Sequence, residues 1–161
     1  MQEAFTLNGK RGRSLDEFKT FLADENATRA LGADLARAAA PGLVVLLDGP
    51  LGAGKTTLVQ GFAAALGAKA AASPSFVLAH YYPGGAMPLW HLDLYRIENQ
   101  SEIDDLDIGQ YLPADGVALV EWARHAHLIW PEDRFEIDLA IEGSGRKATI
   151  RSRGRARLPA A

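Results

Sequence analysis

A chain of 161 residues is the size of one ordinary domain and can enclose a real core. With 17 basic and 20 acidic side chains its net charge is -3, which excludes a protein whose main work is blanketing nucleic acid and leaves DNA off the expected partners. The absence of cysteine excludes disulfides, thiol nucleophiles and thiolate metal sites, and neither a signal-peptide core nor an apolar run of membrane-spanning length is seen. The cytoplasm is the expected address, with no membrane partner.

Residues 1–13, which include the basic, turn-rich "NGKRGR", are expected to form a poorly ordered N-terminal extension. Residues 14–151 read as a single folded domain and residues 152–161 as a basic tail. Ser14-Leu-Asp-Glu17 has the form of a helix capping box, although Phe18, Thr20 and Leu22 just after it alternate as a strand does. "DENATRALGADLARAAAPG" predicts an amphipathic helix that begins near Asp24, carries Ala27, Leu31, Leu35 and Ala38 on one stripe, and stops at Pro41-Gly42. "LVVLLD" at 43–48 is a continuous apolar run, as in a strand covered on both faces of a parallel sheet. A helix from about Lys55 to Leu66 follows, closed by Gly67. "FVLAHYY" and "PLWHLDLY" read as strands joined at Pro83-Gly84-Gly85, and "VALVEW" as another buried strand. "RFEIDLAIE" and "RKATIRSR" alternate around Gly143-Ser144-Gly145 and predict an antiparallel pair at the sheet's edge. The fold class is α/β with a mixed sheet.

The sharpest motif is "GPLGAGKTT", Gly49 to Thr57. It matches the phosphate-loop pattern in full. Glycines let successive backbone N–H groups turn toward phosphate oxygens at a helix N-terminus, Lys55 reaches the outer phosphates, and the Thr56 hydroxyl is of the kind that ligates magnesium. No Asn-Lys-x-Asp tetrad for guanine occurs, so ATP with Mg2+ is expected rather than GTP.

Phosphoryl chemistry also needs a carboxylate at the metal and a group that orients the attacking oxygen. Glu121 ends the run Val117–Val120 and should emerge at the carboxyl end of a buried strand, where open α/β sheets place ligands. Asp93 sits in "WHLDLYR", whose alternation puts His91, Asp93 and Tyr95 on one face and Trp90, Leu92 and Leu94 on the other. That polar face reads either as functional or as a solvent-facing strand edge. "SPSF" at 73–76 is a loop whose hydroxyls, Ser73 and Ser75 about Pro74, are placed to sense a terminal phosphate or simply to turn the chain. His80, His125 and His127 form no recognisable ligand set.

In order, "GPLGAGKTT", "SPSF", "HLDLYR" and "ALVEW" resemble the ATPase component of the bacterial tRNA threonylcarbamoyladenosine machinery, the TsaE family, over roughly 18–151. The resemblance implies a three-layer P-loop NTPase fold with a mixed, mostly parallel sheet and antiparallel edge strands. It implies a small, weak, partner-stimulated ATPase. Such a protein docks on a heterodimer of a threonylcarbamoyl transferase subunit and its inactive paralogue, and meets tRNA only through that complex. Its ATP cycle would support modification of the adenosine beside the anticodon in tRNAs reading codons that begin with A.

Carried over, the resemblance gives nucleotide contacts to Leu51, Gly52, Ala53, Gly54, Lys55, Thr56 and Thr57, and magnesium to Thr56 and Glu121. Asp93, Glu121 and Lys55 would be catalytic, Ser73, Pro74 and Ser75 the switch-like loop, and Glu25, Arg124 and Arg146 nucleotide neighbours. Trp122 matches the family's tryptophan after the acid. The family also has a short strand near Phe18–Leu22, which displaces the capping-box reading. Which of Asp93 and Glu121 is the base stays open, as does the source of any catalytic arginine, whether Arg96, Arg124 or the partner. Two other functions compete: a small-molecule kinase, for which "ENQSEIDDLDIGQYL" at 98–112 is a thin lid, and a structural nucleotide site without hydrolysis. The acidic Glu98–Asp107 segment and the rim around Trp90 and Trp130 are candidate docking surfaces. Arg151, Arg153, Arg155 and Arg157, at every second position, are placed for tRNA phosphate, for an acidic partner, or for a solvated tail.

Overall fold

The computed structural model describes residues 17–69, 78–127 and 130–159. The chain runs β1 (Glu17–Leu22), α1 (Glu25–Arg37), β2 (Val44–Asp48), α2 (Lys55–Ala65), β3 (Ala79–Tyr82), β4 (Leu89–Asp93), α3 (Gln100–Asp105), β5 (Val117–Glu121), β6 (Arg134–Glu142) and β7 (Gly145–Arg153). Short 3-10 turns at Ile108–Tyr111 and Ala123–His125 complete it. The seven strands form one sheet in the order β1-β7-β6-β2-β5-β4-β3. β6, β2, β5 and β4 are mutually parallel, and β3, β7 and β1 join antiparallel.

The apolar run of β2 is continuous because both of its faces are covered. Val45 and Leu47 point into a cluster with Leu31, Leu35, Leu58 and Phe62 of the paired helices α1 and α2. Val44 and Leu46 point the other way, against Leu92, Val120, Ile103 and Ile108 beneath α3 and the 3-10 turn. Two cores on opposite faces of one sheet make the three layers. The segment 98–112 is thereby part of the second core's cover, through buried Ile103 and Ile108. Trp90 and Trp130 are half-buried against that core, and Trp90 also packs on Tyr81 and Tyr111.

Asp24 caps α1, its Oδ1 accepting from the Ala27 N–H at 2.8 Å. The buried stripe of that helix is Thr28, Leu31, Gly32, Leu35 and Ala36, turned slightly from the stripe expected because α1 faces α2 as well as the sheet. Glu17 opens β1 opposite Arg151, so the capping box does not start a helix there and the strand implied by the family resemblance is present. β1 takes the outermost position, leaving the β6–β7 hairpin one strand inboard of the edge.

Three of the every-second-residue arginines find acids within the fold. β7 runs to Arg153, past the boundary expected at 151, and its outward side chains meet acids across the sheet. Arg151 pairs with Glu17 and Asp138, Arg153 with Glu136, and Arg155 with Asp133. No helix among the described residues is long and apolar enough to cross a membrane.

Candidate functional site

The parallel strands end side by side, and their last residues carry acids. Asp93 closes β4 directly opposite Glu121, which closes β5, and Asp48 closes β2. Hydrophobic pairing thus brings together carboxylates that are 28 residues or more apart in sequence, at the carboxyl ends where an α/β sheet opens. Between β2 and α2 lies the glycine loop. Gly54 caps α2 with φ of 101°, a left-handed conformation that a side chain disfavours, and a Cβ there would stand 3.3 Å from Thr28 Cγ2. At Gly49, with φ of 150°, a Cβ would lie 2.4 Å from the Leu139 carbonyl oxygen. The loop therefore turns tightly onto the N-terminus of α2, the end of a helix that favours anions.

An open cavity of about 1130 Å³ spans this end of the sheet. Its walls include Glu25, Thr28, Leu51, Gly52, Gly54 through Thr57, Asp93, Glu121, Trp122 and Arg146. Lys55, 5% exposed, donates from Nζ to the carbonyls of Gly49 at 2.6 Å and Pro50 at 3.0 Å. It also lies 3.9 Å from the centre of the Trp122 ring, a cation–π contact. Burial pulls its ammonium below the usual lysine range, against the charges of Glu121, Asp93 and Asp48. Trp122 is held for this by a left-handed backbone, φ of 57°, and by its N–H to the Leu47 carbonyl at 2.9 Å. Its ring packs on Tyr95 and His125.

Thr56 Oγ1 donates to Glu121 Oε1 at 2.8 Å, and Glu121 is only 3% exposed. The same oxygen meets His91 Nε2, also at 2.8 Å. Asp93 Oδ1 accepts the Tyr95 N–H at 3.0 Å. Burial pushes the Asp93 carboxyl up, the Tyr95 hydrogen bond opposes this, and the Glu121 charge adds to it. Burial likewise raises Asp48, against the Arg124 hydrogen bond and charge.

The remaining expected residues divide. Arg146, the second residue of β7, crosses to the glycine loop and donates from Nε and Nη2 to the Gly52 carbonyl at 3.1 and 2.9 Å. Glu25 lines the cavity and pairs with Arg29. Ala53 is fully buried under the loop, its N–H bonded to the Pro50 carbonyl. Arg124 does not line the cavity. Its side chain, 71% exposed, turns to Asp138 and Asp48, and its backbone N–H reaches Asp48 Oδ1 at 3.1 Å. Ser73, Pro74 and Ser75 lie outside the described residues. The structure adds His91, Tyr82 and Asp48 to the neighbourhood. Alternation already placed His91 on the face of Asp93, but only the pairing of β4 with β5 aims it at Glu121.

The donor set fits a magnesium–nucleotide complex. Among the described residues no three His, Asp or Glu side chains gather as a metal cage. Thr56 and Glu121 offer hard oxygens beside a phosphate-shaped loop, and magnesium characteristically takes one or two protein oxygens, completing its shell with water and substrate phosphate.

Residues 22–149 match the family model described as threonylcarbamoyl adenosine biosynthesis protein TsaE. A tRNA threonylcarbamoyladenosine biosynthesis protein TsaE of Bacillus subtilis is 42% identical over 117 residues, covering 72% of this chain and 73% of that one. Its counterpart in Streptomyces coelicolor is 42% identical over 119 residues, covering 70% and 80%. The crystal structure of the Bacillus protein YdiB superposes with a TM-score of 0.75 at 32% identity, covering 89% of this chain and 90% of the other.

Proposed function

The chain belongs to the TsaE family of threonylcarbamoyl adenosine biosynthesis proteins, and from that premise we propose that it is the magnesium-dependent ATPase of the tRNA threonylcarbamoyladenosine pathway. It acts in the cytoplasm on a threonylcarbamoyl transferase and the transferase's inactive paralogue, and reaches tRNA through them. The observation that carries this reading is the meeting of Thr56, in the first turn of α2 after the glycine loop, with the buried strand-end acid Glu121 at 2.8 Å.

In this reading the loop from Leu51 to Thr57 binds the phosphates through its backbone N–H groups. Lys55 leaves its carbonyl partners to contact the outer phosphates, with Trp122 as a flat support that keeps the ammonium over the site. Arg146 braces the loop at Gly52 from the far side. Thr56 and Glu121 hold magnesium, which when bound neutralises charge developing on the transferred phosphoryl group. Asp93 orients the attacking water, and burial raises its carboxyl toward a proton-accepting role. Arg96 lines the cavity and Arg124 does not, which favours supply of any catalytic arginine by Arg96 or by the partner.

Steady-state ATP hydrolysis, measured alone and with the transferase heterodimer, tests the reading. Slow turnover that rises with the heterodimer and is lost in Glu121→Ala is expected. No response to the heterodimer would overturn partner gating, and transfer to a small-molecule hydroxyl would mark a kinase.

A further inference from the structure

Behind the proposed metal acid lie buried polar side chains to which the site as described gives no task. His91 on β4 is 0% exposed, with Nε2 at 2.8 Å from Glu121 Oε1. Tyr82 on β3 is also buried, and its hydroxyl stands 3.3 Å from His91 Nδ1. Strand register explains the alignment. Tyr82 pairs with Leu89, two residues before His91 and on the same face, and β4 lies against β5, so phenol, imidazole and carboxylate step across three adjacent strands.

Proton positions follow from the chemistry of the end group. A carboxylate only accepts, and Oε1 already takes the Thr56 hydroxyl, so His91 must donate from Nε2. With a proton on Nε2, the ring leaves Nδ1 as the acceptor that faces Tyr82. The Tyr82 hydroxyl then donates to it. Burial and the Glu121 charge both push that phenol up, which keeps its proton in place.

We propose that Tyr82 and His91 are positioning residues for magnesium: the hydrogen-bond chain Tyr82 O–H to His91 Nδ1, and His91 Nε2–H to Glu121 Oε1, holds the Glu121 carboxylate in the orientation that meets Thr56. The inference rests on the reading of Thr56 and Glu121 as the magnesium-holding pair. His91 is a donor behind the acid and touches neither nucleotide nor metal. Without that donor the buried carboxylate keeps its desolvation cost and loses part of its orientation, so magnesium binding weakens while phosphate binding by the loop does not.

The first measurement uses the ¹⁵N-labelled full chain without nucleotide, recording the imidazole nitrogen shifts of His91 at neutral pH. A proton on Nε2 is expected, and an Nδ1–H tautomer with bare Nε2 overturns the proposal. Magnesium is then titrated against wild type, Tyr82→Phe, His91→Leu and His91→Gln in the presence of a fluorescent ATP analogue, with analogue affinity also measured in EDTA. Tyr82→Phe and His91→Leu should raise the magnesium needed for half-saturation by about tenfold and leave affinity in EDTA within about twofold. His91→Gln, whose amide N–H can stand in for Nε2–H, should recover most of the loss. Tyr82→Phe removes one oxygen and little else, so it decides the matter if His91→Leu does not fold. Magnesium dependence equal to wild type in Tyr82→Phe overturns the proposal. Failure of the functional reading looks different: a wild-type chain whose ATP binding ignores magnesium overturns that reading, and this inference with it, before any variant is compared.

Discussion

Two arginines that the family resemblance sets beside the nucleotide have different jobs in the fold. Arg146 donates twice to the Gly52 carbonyl, so it stiffens the loop that must present its N–H groups to phosphate. Arg146→Ala should therefore weaken ATP binding by about tenfold, roughly the value of a lost charge-assisted hydrogen bond. Arg124→Ala removes a mostly exposed partner of Asp138 and Asp48 and should change ATP affinity by less than about twofold. Calorimetric titration of both variants checks the contrast, and equal losses would mean that Arg124 moves to the nucleotide. Asp93 is a different case, an acid that the fold holds at a cost. Its folded carboxyl is raised above the ordinary 3.8, so at neutral pH its charge disfavours the folded state. Asp93→Asn keeps an oxygen for the Tyr95 N–H and drops the charge. It should abolish hydrolysis and raise Tm by about 2 °C, a trade of stability for activity common at working sites.

At the scale of elements, the α1–α2 pair sets how the glycine loop is carried. A Cβ on Gly61 of α2 would lie 2.1 Å from the Arg29 carbonyl oxygen of α1, and one on Gly32 of α1 would lie 2.2 Å from the Leu58 carbonyl oxygen of α2. Alanine in a helix interior is ordinarily better than glycine by about 1 kcal/mol. Here contact with rigid backbone outweighs propensity, and Gly61→Ala should destabilise by about 2–3 kcal/mol, or about 8 °C in Tm. A thermal melt at or above wild type would show that the helices separate freely. Neither glycine could be recognised from sequence, because nothing local to "ALGADL" or "VQGFAA" says which helix comes close. The helices themselves could be, since Asp24 caps α1 and the glycine loop heads α2. Thr56 and Glu121 were legible for a related reason: a phosphate loop fixes one and a strand end marks the other. His91 and Tyr82 were not, because their contacts depend on β3, β4 and β5 being neighbours, which no window of sequence contains. The charged alternation of β7 was visible but not its meaning, since acids 13 to 134 residues away supply its partners.

Over the whole molecule, five acids whose titration the fold shifts fall into two groups that answer pH with opposite signs. Around the β1–β7–β6 face, Glu136 is raised by burial but lowered more by its hydrogen bonds to Arg153 and Arg134, ending below the ordinary 4.5. Lys19 and Arg151 hold Glu17 down, and the Arg155 N–H and side chain do the same for Asp133. For these depressed groups the stabilising contribution is complete above their unfolded values and is lost as pH falls through their folded ones. At the site end, Asp93 and Asp48 are raised, so each costs stability at neutral pH and the cost disappears once pH falls below the ordinary 3.8. Below about pH 4.5 the ladder weakens while the site relaxes, and the observed slope is their difference. Arg153→Gln removes the stronger of the two bonds that lower Glu136, so its Tm should start lower at pH 7 and fall less steeply toward pH 3 than that of wild type. Asp93→Asn should do the reverse, starting higher and falling more steeply, because the relief that acid brings to the wild-type site is already spent in the variant. Thermal melts of the three chains from pH 7 to pH 3 read both slopes at once. Curves that converge toward pH 3 are the expected outcome, and parallel ones would mean that neither the strand ladder nor the strand-end acids govern how this fold responds to protons.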